Sequence, residues 1–152
     1  MVELRARDAV SMTKREVSLD ELEIEARNLW QSSVPGSVIW LEGELGSGKT
    51  TFVKQIVAAA SASGATSPTF SLVHTYDSPE GPLHHADCYR IRTPDEAVDM
   101  DLDTLASTGR MLLIEWPSRA GRHAPDPHSV VFFEHGDSPS TRLIEVNRCV
   151  SP

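Results

Sequence analysis

The sequence predicts an α/β fold of three layers, in which a mixed, mostly parallel central sheet is flanked by helices, and three observations carry that prediction. Val38-Ile39-Trp40-Leu41 and Met111-Leu112-Leu113-Ile114 are unbroken apolar runs, the pattern of strands buried on both faces. Residues 19–31 and 51–60 have helical character and lie on either side of the first run. The loop joining that run to the second helix, Gly43-Glu44-Leu45-Gly46-Ser47-Gly48-Lys49-Thr50-Thr51, has the spacing G-x-x-x-x-G-K-[ST] of a phosphate-binding loop. A glycine-rich loop between a strand and a helix N-terminus is an anion site. The three observations together predict a P-loop NTPase-like fold.

The elements follow in order. Residues 1–15 have no firm periodicity and read as a frayed lead-in or an edge strand. Ser18-Leu19-Asp20-Glu21 matches the capping box S-x-x-E, and Leu22, Ala26 and Leu29 recur at helical spacing, so a helix is expected over 19–31. Pro35-Gly36 turns the chain into the first apolar strand. After the second helix, Ser61-Ala62-Ser63-Gly64 breaks the pattern and Thr66-Ser67-Pro68-Thr69 reads as a loop entering a strand at 70–76. The turn Asp77-Ser78-Pro79-Glu80-Gly81-Pro82 then leads to a strand at 83–89, which predicts an antiparallel hairpin. Pro94-Asp95-Glu96-Ala97 suits a helix start, and a short helix is expected over 102–107 before the turn at Gly109. Residues 119–127 read as loop, and 129–134 with 142–146 as a closing pair of strands. All 152 residues are read as one domain without internal repeats.

Composition excludes several classes. Apolar residues make up 39% and charged ones 24%, the balance of a soluble globular chain. No apolar run has the length of a membrane span and the first residues lack a signal-peptide core, so a cytoplasmic protein without a membrane partner is expected. A net charge of -8 with a pI near 5.1 argues against an extensive nucleic-acid footprint of its own. The small basic clusters Arg5 and Arg7, Lys14 and Arg15, Arg90 and Arg92, and Arg119 with Arg122 read as solvated surface. Cys88 and Cys149 have no metal or disulfide spacing and read as reduced thiols. His84 and His85 are adjacent, point to opposite faces of an extended segment, and so read as ordinary partly buried imidazoles and not as a metal pair.

Chemistry centres on the glycine-rich loop. Gly43, Gly46 and Gly48 let consecutive N–H groups converge on phosphate oxygens, Lys49 supplies a point charge to the β and γ phosphates, and the Thr50 hydroxyl is placed to ligate Mg²⁺. Hydrolysis also needs carboxylates for metal and water. Glu115 ends a buried strand at the edge where open α/β sheets bind ligands, a Walker B-like position. Asp87 lies near the end of the strand after the Pro-Gly turn, with a turn or cap role as the alternative. Thr66, Ser67 and Thr69 are either hydroxyls of a switch segment facing the γ-phosphate or turn formers. Trp116 either stacks on a base or a partner, or belongs to the core. Arg90 and Arg142 could stabilise transferred phosphate, with surface ion pairing the expected role.

Four motifs, Gly43 to Phe52, Ser67-Pro68-Thr69-Phe70, His85-Ala86-Asp87-Cys88-Tyr89-Arg90 and Ile114-Glu115-Trp116-Pro117, occur in the order and at about the spacing of the TsaE (YjeE) family. The chain resembles that family over roughly residues 18–147. The resemblance implies a small ATPase that works with TsaB and TsaD subunits in making threonylcarbamoyladenosine in tRNA, meeting the tRNA only through the complex. It also implies that Lys49 and Thr50 form the Walker A site with Mg²⁺, that Asp87 and Glu115 serve the metal and the catalytic water, and that Trp116 adjoins the nucleotide. Weak turnover without partners is expected. Three positions depart from the pattern: Leu22 stands where the family usually has a threonine associated with the adenine end, Ala26 where glycine is common, and Cys88 between Asp87 and Tyr89. Cys88 replaces a leucine-like residue, a milder change. The rival readings are a small-molecule or nucleotide kinase and an ATP-gated scaffold without turnover.

Overall fold

Side chains alternate across a β-strand, so a sheet with apolar residues at consecutive positions must be covered on both faces. In the computed structural model, which describes residues 9–11, 14–64 and 72–149, that is the arrangement found. The strands are β1 (Ala9–Ser11), β2 (Arg15–Ser18), β3 (Ser37–Gly43), β4 (Val73–Ser78), β5 (Gly81–Asp87), β6 (Met111–Glu115), β7 (Ser129–His135) and β8 (Thr141–Cys149). They form one eight-stranded sheet in the order β1-β8-β7-β3-β6-β5-β4, with β2 also paired to β8. The four central strands β7, β3, β6 and β5 are mutually parallel. Beyond them β4 pairs antiparallel to β5, β8 to β7, and β1 and β2 to β8. The parallel character expected of most of the sheet thus belongs to its centre, because hairpins at both flanks need only short turns. The described part of the lead-in is strand, not frayed chain.

Helix α1 (Leu19–Ser32) starts at the capping box read from the sequence: Glu21 N–H donates to Ser18 Oγ at 3.2 Å and Ser18 N–H to Glu21 Oε1 at 3.0 Å. It ends where Ser33 turns extended and its hydroxyl donates to Trp30 O at 2.6 Å. With α2 (Lys49–Ala59) it covers one face, packing Leu22, Ala26, Leu29, Phe52, Val53 and Ile56 on Ile39, Leu41, Leu113, Val131 and Phe133. The Phe52 ring meets Phe133 edge-on at 5.4 Å. Each buried Val, Leu, Ile or Phe side chain among these contributes about 1.5–3 kcal/mol relative to exposure.

The other face carries Val38, Trp40, Leu112, Ile114 and Val130, covered by Ala97, Leu102, Ala120 and Ala124. Those come from a 3-10 stretch (Pro94–Met100), α3 (Leu102–Thr108), α4 (Pro117–Ala120) and the residue that follows a 3-10 turn (Gly121–His123). Two expectations change here. The segment beginning at Pro94 is a 3-10 and not an α-helix, and residues 119–127, read as loop, contain the end of α4 and the 3-10 turn. Both pieces are one or two turns long, too short for a periodic signal. All five residues of β6 are buried, which is why that run has no polar alternation. Among the described residues no helix is long and apolar enough to cross a membrane. Cys88 is buried and Cys149 half-buried; burial, helped by the charges of Asp87 and Glu115, pushes the Cys88 thiol up to about 12.

Candidate functional site

The parallel strands bring three chain segments to one edge. β3 ends at Gly43, β5 at Asp87 and β6 at Glu115, so the glycine-rich loop and both carboxylates lie at the carboxyl ends of the central strands. Asp87 and Glu115 are register partners on adjacent strands. Side-chain alternation puts them on the face that carries α2, the face of Leu113 and Leu41. The expected pair is therefore brought together with the loop, over a distance in sequence of more than seventy residues.

The loop has the backbone its glycines allow. Gly43 has φ 151°, and a Cβ there would lie 2.6 Å from Phe133 O and 2.7 Å from Ser47 Oγ. Gly48, at φ 116°, is the N-cap of α2, so no side chain closes the helix start and its first N–H groups remain open to an anion. Ser47 N–H donates to Glu44 O at 3.2 Å, while the buried Ser47 hydroxyl has no partner among the described residues. Glu44, Leu45 and Gly46 form the exposed tip, and Thr50 and Thr51 are exposed in the first turn of α2.

Lys49 is 4% exposed. Its ammonium donates to Gly43 O and, at 3.3 Å, to Glu44 O, and stands 4.2 Å from the centre of the Trp116 ring. Burial pushes its pKa down, against the opposing pull of Glu115, Asp87 and Glu42. Among the described residues the site therefore sets the desolvated Lys49 cation beside the carboxylates of Glu115, Asp87 and Glu42. Glu42 was not singled out in the sequence; burial raises its pKa against the pull of Lys49.

Trp116 takes a left-handed backbone, φ 56° and ψ 50°, between Glu115 and Pro117. Such a conformation costs about 1–3 kcal/mol for a residue with a side chain. The turn lays the indole between groups that only the fold assembles: Tyr89 at 5.2 Å, the Arg119 guanidinium at 5.4 Å, and Lys49. The core reading of Trp116 is partly met, since the half-buried ring borders the second core, and the same ring caps the lysine. Arg119, read as surface, lies 5.2 Å from the Tyr89 ring as well.

Asp87 does two things. Its Oδ1 accepts from Tyr89 N–H at 3.0 Å, the turn role considered for it, and its charge favours the Lys49 ammonium. Glu115 is 4% exposed and its Oε2 lies 2.5 Å from His85 Nε2. That contact was not foreseen. The signal was present, since His85 is two residues before Asp87 and so shares its face. His84 indeed points the other way, with Nδ1 2.9 Å from Thr75 Oγ1, and burial pushes its pKa down.

The oxygen donors fit magnesium. Among the described residues no three His, Cys, Asp and Glu side chains form a metal cluster of their own. Mg²⁺ is usually held by one or two carboxylates with substrate phosphates and water supplying the rest. Asp87, Glu115 and the Thr50 hydroxyl match that requirement. Ser67 and Thr69, with Thr66, lie outside the described residues.

Beside the loop, a hollow of about 160 Å³ is lined by Val17, Ser18, Leu19, Leu22, Gly48, Thr51, Pro139, Ser140 and Arg142. Leu22, where a polar side chain was expected, supplies an apolar wall. Neither Arg90 nor Arg142 is in an ion pair among the described residues; Arg142 Nη1 donates to Pro139 O and Thr141 O, at 3.0 and 2.8 Å, and its buried Nε has no partner.

The family model described as "Threonylcarbamoyl adenosine biosynthesis protein TsaE" matches residues 17–144, a span holding the loop, both carboxylates and Trp116. The chain belongs to the TsaE family. A relative from Bacillus subtilis, named tRNA threonylcarbamoyladenosine biosynthesis protein TsaE, is 36% identical over 125 residues, covering 81% of this chain and 78% of its own. One of the same name from Rickettsia bellii is 35% identical over 95 residues, with 61% of this chain and 65% of its own covered. The match to Rickettsia conorii, 35% identical, covers 57% of that protein, so the chain spans about three fifths of the length of these Rickettsia relatives. A crystal structure of Bacillus subtilis YdiB superposes with TM-score 0.73 at 25% identity, covering 93% of this chain and 87% of that one.

Proposed function

We propose that this protein binds ATP with Mg²⁺ and hydrolyses it, in support of tRNA threonylcarbamoyladenosine formation by TsaB and TsaD partners in the cytoplasm. The observation that carries the reading is the convergence of Lys49, at the open N-terminus of α2, with the register pair Asp87 and Glu115 on the same sheet edge. A loop that only gripped phosphate would need no pair of carboxylates. The pathway assignment rests on the names of the family and of the relatives from Bacillus subtilis and Rickettsia.

Each residue has a task that follows from its surroundings. Loop N–H groups and the first turn of α2 receive the phosphates. Lys49 moves from the Gly43 and Glu44 carbonyls to phosphate oxygens, exchanging neutral acceptors for charged ones, which form stronger hydrogen bonds. Magnesium, when held by Thr50 with one carboxylate of the pair Asp87 and Glu115, would supply charge neutralisation at the phosphates. Within the carboxylate pair one group serves the metal and the other orients the attacking water. Arg142 and Leu22 form the hollow beside Gly48 and Thr51, where the base is placed against apolar walls. A net charge of -8 leaves the tRNA to the partners.

The test is ATP turnover with and without Mg²⁺, alone and with TsaB and TsaD, together with ATP-dependent capture of those partners. Glu115→Ala should retain ATP binding and lose about 10²-fold or more in turnover, the loss expected when a positioned proton-handling group is removed. Absence of Mg²⁺-dependent ATP binding would overturn the reading. Phosphoryl transfer to a metabolite faster than hydrolysis would make the protein a kinase instead.

A further inference from the structure

Resting on the ATPase reading, we infer that His85 is a positioning residue: it holds the Glu115 carboxylate in the orientation that hydrolysis requires. The two side chains are 9% and 6% exposed, and His85 Nε2 lies 2.5 Å from Glu115 Oε2. An ionised carboxylate only accepts, so Nε2 carries the hydrogen and donates it. The strand pairing sets up this contact. β5 runs parallel to β6 with His85 opposite Leu113 and Asp87 opposite Glu115, so His85 stands one same-face step behind Asp87 and reaches Glu115 along the diagonal.

The imidazole is itself held from the other side. His74 of β4 is the register partner of His85, and the two rings stack at 6.1 Å with 28° between their planes. With one ring face backed in this way, the bond to Oε2 commits one carboxylate oxygen and leaves Oε1 for the metal or the water. Outer-shell groups of this kind orient ligands and typically change metal affinity or activity by about 10–100-fold when removed.

A second consequence concerns Lys49. Its buried ammonium feels Glu115 as the strongest of its three carboxylate neighbours. Released from His85, the Glu115 carboxylate is free to turn toward the desolvated Lys49 ammonium and to draw it off the phosphates. The histidine thus keeps the catalytic carboxylate and the phosphate-binding lysine as separate instruments.

The contrast between two amides tests this. In His85→Gln the side-chain N–H₂ reaches about as far as Nε2, whereas in His85→Asn it stops near the position of Nδ1. Three quantities are read on the full chain: kcat and KM for ATP, the Mg²⁺ concentration giving half of the ATP-induced thermal shift, and Tm without ligand. The expected result is that His85→Asn loses about 10–100-fold in kcat or in apparent Mg²⁺ affinity with little change in KM, and that His85→Gln recovers most of it. Wild-type kcat and Mg²⁺ dependence in His85→Asn would overturn the inference while leaving the ATPase reading standing. Equal losses in both variants that follow equal falls in Tm would overturn it too, assigning His85 to the fold alone. Wild-type protein without Mg²⁺-dependent stabilisation by ATP would remove the ATPase reading, and this inference with it.

Discussion

Replacing Lys49 by Met separates what the lysine does for the fold from what it does for the ligand. The side chain is 4% exposed and burial depresses its pKa in spite of three nearby carboxylates. Since the depressed value means that the charged form is disfavoured in the folded state, a neutral side chain of similar length removes a cost, and the ligand-free variant should be at least as stable as wild type. With ATP and Mg²⁺ at ~100 times the dissociation constant, wild type should gain about 2.7 kcal/mol. At roughly 2–4 °C per kcal/mol for a chain of this size, that is about 5–11 °C in Tm. Losing one hydrogen-bonded charge costs about 1.5–3 kcal/mol of binding. At the same ligand concentration the stabilisation then falls to about 0.3–1.3 kcal/mol, or roughly 1–5 °C. Thermal melts with and without ATP and Mg²⁺ measure both numbers. A Lys49→Met variant with the wild-type ligand shift would refute the phosphate role, and one that melts well below wild type without ligand would refute the reading of Lys49 as a strained buried cation.

Three further outcomes are expected. Gly43→Ala places a methyl group 2.6 Å from the Phe133 carbonyl oxygen, which belongs to a strand and cannot yield cheaply; overpacking of this kind costs about 1–3 kcal/mol, and a ligand-free urea-unfolding curve identical to that of wild type would contradict it. Phe52→Ala empties a fully buried position beside Phe133 and should cost about 3–5 kcal/mol in urea unfolding, a loss under 1 kcal/mol showing that α2 is not anchored there. Because burial lowers the pKa of His84 below its usual 6.5, the unfolded chain binds more protons just below that pH. Stability should therefore fall as pH drops below about 6.5, by at most about 1.4 kcal/mol per unit for this group, and unfolding curves of His84→Asn at pH 5–7.5 should be flatter than those of wild type.

How much of the site could be read in advance varied with the range of the interaction involved. The loop from Gly43 to Thr51 was readable because its chemistry is local: glycine freedom, a lysine and a hydroxyl in one short stretch. The capping box of α1 was readable for the same reason, being made of Ser18 and Glu21 alone. Asp87 and Glu115 were identified from their places at strand ends, and the register that pairs them then followed from the parallel sheet. His85 was passed over because, in sequence, it is one of two adjacent imidazoles; only the crossing from β5 to β6 gives it Glu115 as a partner. Glu42 was passed over too, since its raised pKa comes from burial that no local pattern announces.

Elements were legible where a pattern had length. α1, α2, β3 and β6 were placed within two residues of their ends, whereas β2, α4 and the 3-10 stretch at Pro94 were missed or mistyped. Those pieces persist because neighbours complete them: β2 through its hydrogen bonds to β8, and α4 through burial of Pro117 and Ala120. Covalently local chemistry, then, determined the glycine-rich loop, the capping box of α1 and the apolar strands, since each depends on residues a few positions apart. The left-handed Trp116 laid over Lys49, the His74–His85–Glu115 chain and the hollow beside Gly48 came from packing distant segments against one another. Their energies belong to contacts across strands, and a contact of that kind exists only after the register has been chosen.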